Sequence, residues 1–313
     1  MLNASYNLSF RLNEFLSKIE LQRHEVLLAP IPPKKKLQLR WLAIVDHIYC
    51  SLVLDDDPLK KSEIVKLITA QGKKKLKQSE REVVKYKEAL DYIKQNWLVC
   101  QNLVTPKTIL TLYDLACYGK LKVPISNLAD LLHYIQARPL ENPIIQAGIA
   151  NIELMKMQAF TNDNGRITRL VTLLFLYKYG YDFEGFLVLE KYWAQNPEEL
   201  RDNFQIASHA SSITLWLEYF AKCVTVQLAE VIKSIKESSV ELPEMPTSFW
   251  EINDRQKSIL NSLEEPSARI TNKKVQKMFK ISQITASRDL AKLKALGLLA
   301  TFGKGRSIYY IKN

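Results

Sequence analysis

At 313 residues, 47% apolar and 25% charged, the chain has the balance of an ordinary globular protein, long enough for one large domain and a small one. No stretch approaches the roughly 18 apolar residues of a bilayer span. Met1–Arg11 also lacks the order of a secretory leader, so a cytoplasmic chain without a membrane partner is expected. The net charge of +11 is uneven: residues 247–313 carry 13 Lys and Arg against 5 Asp and Glu, leaving 31 against 28 elsewhere, which points to a polyanion partner for the C-terminal module.

With nine glycines and many Leu, Lys and Glu, helix is favoured over sheet. Residues 1–36 are predicted as a helical extension, broken at Pro30–Pro33 ahead of Lys34–Lys36. The apolar run Leu39–Leu54 reads as a buried helix, and Gly72 followed by Lys73–Lys75 as a helix stop and a charged restart. Asn142-Pro143 is a cap followed by proline at the first helical position, and Ile145, Ile149 and Ile152 predict a core-facing helix running towards Gln158. Ile167, Leu170 and Leu174 line a second helix that Gly180 ends. Helical pattern returns over Leu187–Trp193 and Ser212–Lys236. The two prolines of Ser238–Pro246 then mark 238–246 as a linker between a main domain, 37–237, and a module, 247–313. Cys50, Cys100, Cys117 and Cys223 are scattered, without a C-x-x-C pair, and are expected to be reduced thiols.

The segment Gln158–Arg169 places Arg166 and Arg169 at a helix start, where cations face the positive end of the macrodipole unless an anion sits there. With Asn164 and Gly165 beside them, the arginines can form a phosphate cradle. The alternative is a self-satisfied helix start in which Asp163 or Asn164 caps the helix and Asp163 neutralises an arginine.

The segment resembles the signature of the Fic family, His-Pro-Phe-x-acid-Gly-Asn-Gly-Arg-x-x-Arg. Phe160, Asn164, Gly165, Arg166 and Arg169 match; Gln158, Ala159, Asn162 and Asp163 stand for the histidine, proline, acid and first glycine. The resemblance extends over residues 37–236. It implies a helical domain that transfers AMP from ATP to a protein hydroxyl, with the histidine as general base and the acid holding magnesium. Gln158 has no titratable nitrogen and cannot serve as that base. Asn162 offers a neutral oxygen to a hard cation, and Asp163 repels phosphate, so magnesium binding is expected to be weak and no cofactor to be required. Nucleotide or anion binding by Asn164, Gly165, Arg166 and Arg169 is what remains. None of His24, His47, His133 and His209 lies near the motif in sequence. Many family members carry an inhibitory Ser-x-x-x-Glu-Gly helix whose glutamate pairs with the last arginine. Over Cys50–Asp55 the resemblance sets Leu54 at that glutamate and Asp55 at the glycine, which implies a lost brake unless Asp55–Asp57 shift the register. For the family's target-docking hairpin, Leu121–Ser126 is the one candidate, and it lacks the alternation of paired strands.

Residues 247–313 resemble the winged helices of bacterial transcription regulators, and fusion of such a module to a Fic domain is a known architecture. Asp254–Leu263 is predicted as the first helix, with Ile259, Leu260 and Leu263 inward. Thr271 caps a second through Phe279, and Ser282 caps a third from Gln283 to Leu296 with Ile284, Leu290 and Leu293 inward. Leu298–Thr301 and Ser307–Ile311, around a Gly303–Gly305 turn, would form the wing. Gln283, Thr285, Ser287 and Arg288 are expected to read bases, and Lys273, Lys292, Lys304 and Arg306 to bind phosphate, on double-stranded DNA. A homodimer would suit paired half-sites. The expected fold is mainly α, a helical Fic-type domain followed by a small α/β winged-helix domain. The expected function is a DNA-binding transcription regulator whose degenerate Fic domain acts as scaffold, dimer interface or nucleotide sensor; the alternative is a Fic-type adenylyltransferase of weak or unusual activity.

Overall fold

Ser9 opens the first helix by accepting the Leu12 N–H, and α1 (Phe10–Leu28) then buries Leu12, Leu16, Ile19 and Val26. The computed structural model describes residues 5–69, 76–137, 141–237, 250–265, 267–303 and 307–312. Far from being an extension, α1 lies along α11 (Thr214–Lys236), where Gln22 donates to the Thr225 carbonyl, and it belongs to the main core. The expected boundary at residue 37 falls inside the first turns of α2 (Pro33–Leu54), which begins with proline at its first position. Among the described residues α2 is the helix apolar and long enough to cross a membrane, but 56% of its most apolar window is buried inside the protein, among it Trp41, Val45, Ile48 and Leu52.

After α3 (Lys61–Thr69), the expected Gly72–Lys75 break lies outside the described residues. Then come α4 (Gln78–Trp97), α5 (Pro106–Ala116) and α6 (Ile125–Gln136). Asn142 accepts the Ile144 N–H and starts α7 (Pro143–Met157), in which Ile145, Ile149 and Ile152 are buried as their spacing requires. Together with α8 (Asn164–Lys178) it forms the central pair. α4 and α5 pack on α8, while α6 and α11 pack on α7. Gly148 permits the close approach of α11: a Cβ there would meet Leu217 Cδ2 at 2.8 Å, and its carbonyl accepts the Trp216 indole N–H. Gly180, at φ +72°, ends α8's run; α9 (Leu189–Gln195) and α10 (Pro197–His209) complete this part, with α2 packed on α9.

The C-terminal residues build a second, small core from α12 (Asp254–Asn261), α13 (Asn272–Phe279), α14 (Gln283–Ala295), β1 (Leu299–Phe302) and β2 (Tyr309–Lys312). Thr271 caps α13 and Ser282 caps α14, each by accepting a backbone N–H three residues on. The strands pair antiparallel, Leu299 opposite Lys312, and Ile270 adds a bridge to Tyr310. One expectation fails here: Ile284 is 66% exposed, and Ala286 takes the inward place beside Leu290 and Leu293. The 238–246 linker lies outside the described residues. Contacts among the described residues join this unit to the main body, with Leu296 packed in the main core. The Trp250 ring meets Trp41 edge-on at 6.0 Å, and Lys94 on α4 donates to the Gly297 carbonyl at 3.3 Å. Burial, with Arg40 nearby, lowers the Lys94 ammonium to about 8. The chain is mainly α, with one small sheet among the described residues.

Candidate anion site at the start of helix 8

Gln158 closes α7 in a left-handed conformation, φ 45° and ψ 50°. Its side chain is exposed and folds back, Nε2 donating to the Met155 carbonyl at 2.7 Å. The chain then runs beside residues 120–122. Lys122 N–H donates to the Ala159 carbonyl and Thr161 N–H to the Lys120 carbonyl, each at 2.9 Å, and Leu121 forms an antiparallel bridge with Phe160. This single bridge is what the Leu121–Ser126 segment supplies in place of a hairpin; Ile125 already starts α6. The Phe160 ring is buried and stacked on Tyr113, centroids 3.9 Å apart.

Neither Asp163 nor Asn164 caps the helix with its side chain. Asn164 instead staples the loop: its Oδ1 accepts the Phe160 N–H and its Nδ2 donates to the Phe160 carbonyl. Asp163 sits left-handed at φ 57°, and its carboxylate accepts the Tyr118 N–H at 2.8 Å. In the self-satisfied alternative Asp163 would pair with an arginine; the ion pairs are made by other acids, although the Asp163 charge also helps to raise Arg166. The first intrahelical bond runs from Ile167 N–H to the Asp163 carbonyl, so the N–H groups of Asn164, Gly165 and Arg166 have no partner within the helix.

Arg166 and Arg169 are buried, and acids distant in sequence hold both. Asp55, the C-cap of α2, bridges them: Arg166 Nε donates to its Oδ2 at 2.9 Å and Arg169 Nη2 to its Oδ1 at 2.8 Å. Glu82, early in α4, accepts from Arg166 Nη2 at 2.9 Å, and Ser51 Oγ accepts from Arg169 Nη2 at 2.7 Å. Burial alone would lower both guanidinium values, but their partners together, Asp55 foremost, outweigh it and raise them. Gly165 leaves room for the fork, since a Cβ there would stand 3.0 Å from Arg169 Nη1.

Ser51 and Asp55 are the partners in the shifted register that Asp55–Asp57 leave open. They stand four apart and face one way on α2, as in Ser-x-x-x-Glu with the register moved by one residue. Asp56, left-handed at φ 58°, then takes the glycine place, and Leu54 turns to an apolar cavity instead of meeting Arg169 as the acid's replacement. That cavity, about 290 Å³, is also lined by Asn151, Gly165, Thr168 and Leu200. Asn151 Oδ1 and Thr168 Oγ1 are buried there without a hydrogen-bond partner. On the other side of Arg169, a cavity of about 240 Å³ holds His47 and Glu190. His47 Nδ1 lies 2.9 Å from Glu190 Oε2, both buried, so this histidine serves the core and does not face exposed Gln158.

Asn162 is exposed and offers a neutral side-chain amide, while its backbone carbonyl accepts from the Tyr113 hydroxyl. Among the described residues no three His, Cys, Asp or Glu side chains converge.

In the C-terminal unit Lys273, Gln283, Ser287 and Arg288 are exposed. Thr285 shares a hydroxyl hydrogen bond with Ser282, and Ser287 Oγ accepts from Asn272 Nδ2, a partner the sequence did not suggest. The Lys292 ammonium donates to the Glu251 carbonyl at 2.7 Å. Lys304 and Arg306 lie outside the described residues.

No family model and no curated relative matches the sequence. Solved structures do. A Fic family protein from Desulfovibrio desulfuricans G20 superimposes with a TM-score of 0.62 at 14% identity, over 100% of this chain and 98% of that one. The chain has a Fic-type fold. A Fic domain containing signaling protein from Bacteroides thetaiotaomicron VPI-5482 gives 0.58 at 17% identity, over 74% of this chain and all of that one. C. elegans Fic-1, residues 134–508, gives 0.59 at 16%, over 73% and 74%. At these identities the likeness establishes the Fic-type fold alone.

Proposed function

We propose that this chain is a DNA-binding regulatory protein whose Fic-type domain holds an anion without transferring AMP. Gln158 carries the reading. It occupies the place of the catalytic histidine, an amide takes up no proton near neutrality, and its Nε2 is engaged by the Met155 carbonyl. The retained groups are those that grip phosphate: two arginines and unpaired N–H groups at a helix start. Asp55 and Glu82 occupy the arginines in this state, so a phosphate or nucleotide entering must displace Asp55. A pocket lined by Leu54, Leu200 and Arg169 itself adjoins the pair.

Three helices followed by an antiparallel pair of strands support a winged-helix reading of the C-terminal unit. Its net charge and the exposed Gln283 and Arg288 support a duplex as partner, and a homodimer on paired half-sites suits such a module.

Full-length protein titrated with duplex DNA should lose affinity steeply as salt rises. Incubated with labelled ATP, magnesium and cell proteins, it should transfer no label. Failure to bind duplex in low salt overturns the DNA assignment, and label transfer that vanishes in Arg166→Ala overturns the non-catalytic one. Asp55→Ala leaves Arg169 without its ion-pair partner and Arg166 with Glu82 alone, at a cost of about 3 kcal/mol. Pyrophosphate should then raise the melting temperature more in this variant than in wild type. Equal shifts would count against anion binding at the arginines.

A further inference from the structure

We propose that Ile284 is a specificity-determining residue that packs on the C5-methyl group of a thymine in the major groove, one helical turn before Arg288. This rests on the DNA-binding reading above. Ile284 is 66% exposed at the second position of α14, while Ala286, Leu290 and Leu293 fill the core. Residues 284, 287 and 288 are three and four apart and so share the outer face of the helix. Ser287 and Arg288 on that face are exposed, as is Gln283 beside Ile284.

The position is also fixed. Ser282 caps the first turn, and Asn272 on α13 donates both to the Gln283 carbonyl and to Ser287 Oγ. A β-branched side chain in a helix has one strongly preferred rotamer, so little freedom is lost when Ile284 meets a partner.

Charge complementarity selects the occupant. Exposed Lys273, Lys274, Lys277 and Lys280 stand on and just after α13, the helix joined to this turn, and they favour a polyanion. In the major groove the thymine methyl is the apolar feature of the base edges. A protein partner would need a wider apolar patch. Among the described residues of this unit, Met278, at 48%, is the other exposed large hydrophobic side chain.

The test uses the full chain and duplexes selected with it from a random library. In the best duplex each thymidine is replaced in turn by deoxyuridine, which removes the methyl and leaves the hydrogen-bonding edge unchanged. At one position per half-site the replacement should weaken wild-type binding about fivefold. Ile284→Ala should bind the thymine and uracil duplexes equally, whereas Arg288→Ala should keep the difference and lose selectivity elsewhere. Unchanged melting of Ile284→Ala shows that the fold is intact. Selective binding with no uracil-sensitive position, or a penalty that survives in Ile284→Ala, overturns this inference and leaves the DNA-binding reading standing. No binding to any duplex in low salt overturns both.

Discussion

His47 and Glu190 show how a buried charge pair sets its own pH window. Burial alone would lower the imidazole value, but the Glu190 carboxylate and its hydrogen bond raise it above the ordinary 6.5. Burial alone would raise the Glu190 carboxyl, but His47 brings it below the ordinary 4.5. The His47 contribution to stability is therefore complete below 6.5 and lost as pH rises through its folded-state value. The Glu190 contribution is complete above 4.5 and lost as pH falls through its own. Urea midpoints of wild type minus His47→Gln should differ most between these two values and converge on either side. A difference that changes at neither the acid nor the alkaline end would mean that the pair is not charged. At this scale the sequence exposes part of the site. Gln158, Arg166 and Arg169 are legible from the motif and Asp55 from its spacing to Ser51 on α2, while Glu82 reaches Arg166 across 84 residues of chain, beyond any local pattern.

Elements were legible where caps and apolar spacing agree. Asn142, Thr271 and Ser282 cap as their residue types suggest. On α14 the spacing misled, because the inward stripe is Ala286, Asp289, Leu290 and Leu293, a helical repeat with an acid inside it. Arg255 and Gln256 satisfy Asp289, so the core accepts a carboxylate while Ile284 turns outward. The α7–α11 contact is different in kind, since it depends on a missing side chain. Gly148 lies on the buried face of α7, with Leu217 and Phe220 closer than a methyl group tolerates. Gly148→Ala gains in helix propensity but overpacks this contact, and we expect a net loss of about 1–3 kcal/mol, read as a lower urea midpoint with unchanged slope. A stabilised variant would show that α11 can move aside, and the close approach would then have no structural role.

Across the whole molecule, two helices run from the arginine pair to the C-terminal unit. α2 holds Asp55 on Arg166 and Arg169 at one end and Trp41 against Trp250 near the other. α4 holds Glu82 on Arg166 near its start and Lys94 on the Gly297 carbonyl near its end. At 1.5 Å per residue these spans are about 21 Å and 18 Å, and helices of that length move as stiff units. An anion that displaces Asp55 would free the C-terminal end of α2 and alter how its other end meets Trp250. Coupling of this kind is reciprocal: if pyrophosphate changes duplex affinity by some factor, the duplex changes pyrophosphate affinity by the same factor. Lys94→Met removes the α4 contact to Gly297 far from either ligand, and it should shrink that factor while both ligands still bind. Duplex affinities that are identical with and without saturating pyrophosphate would mean that the Fic-type domain is only a scaffold for the module that follows it.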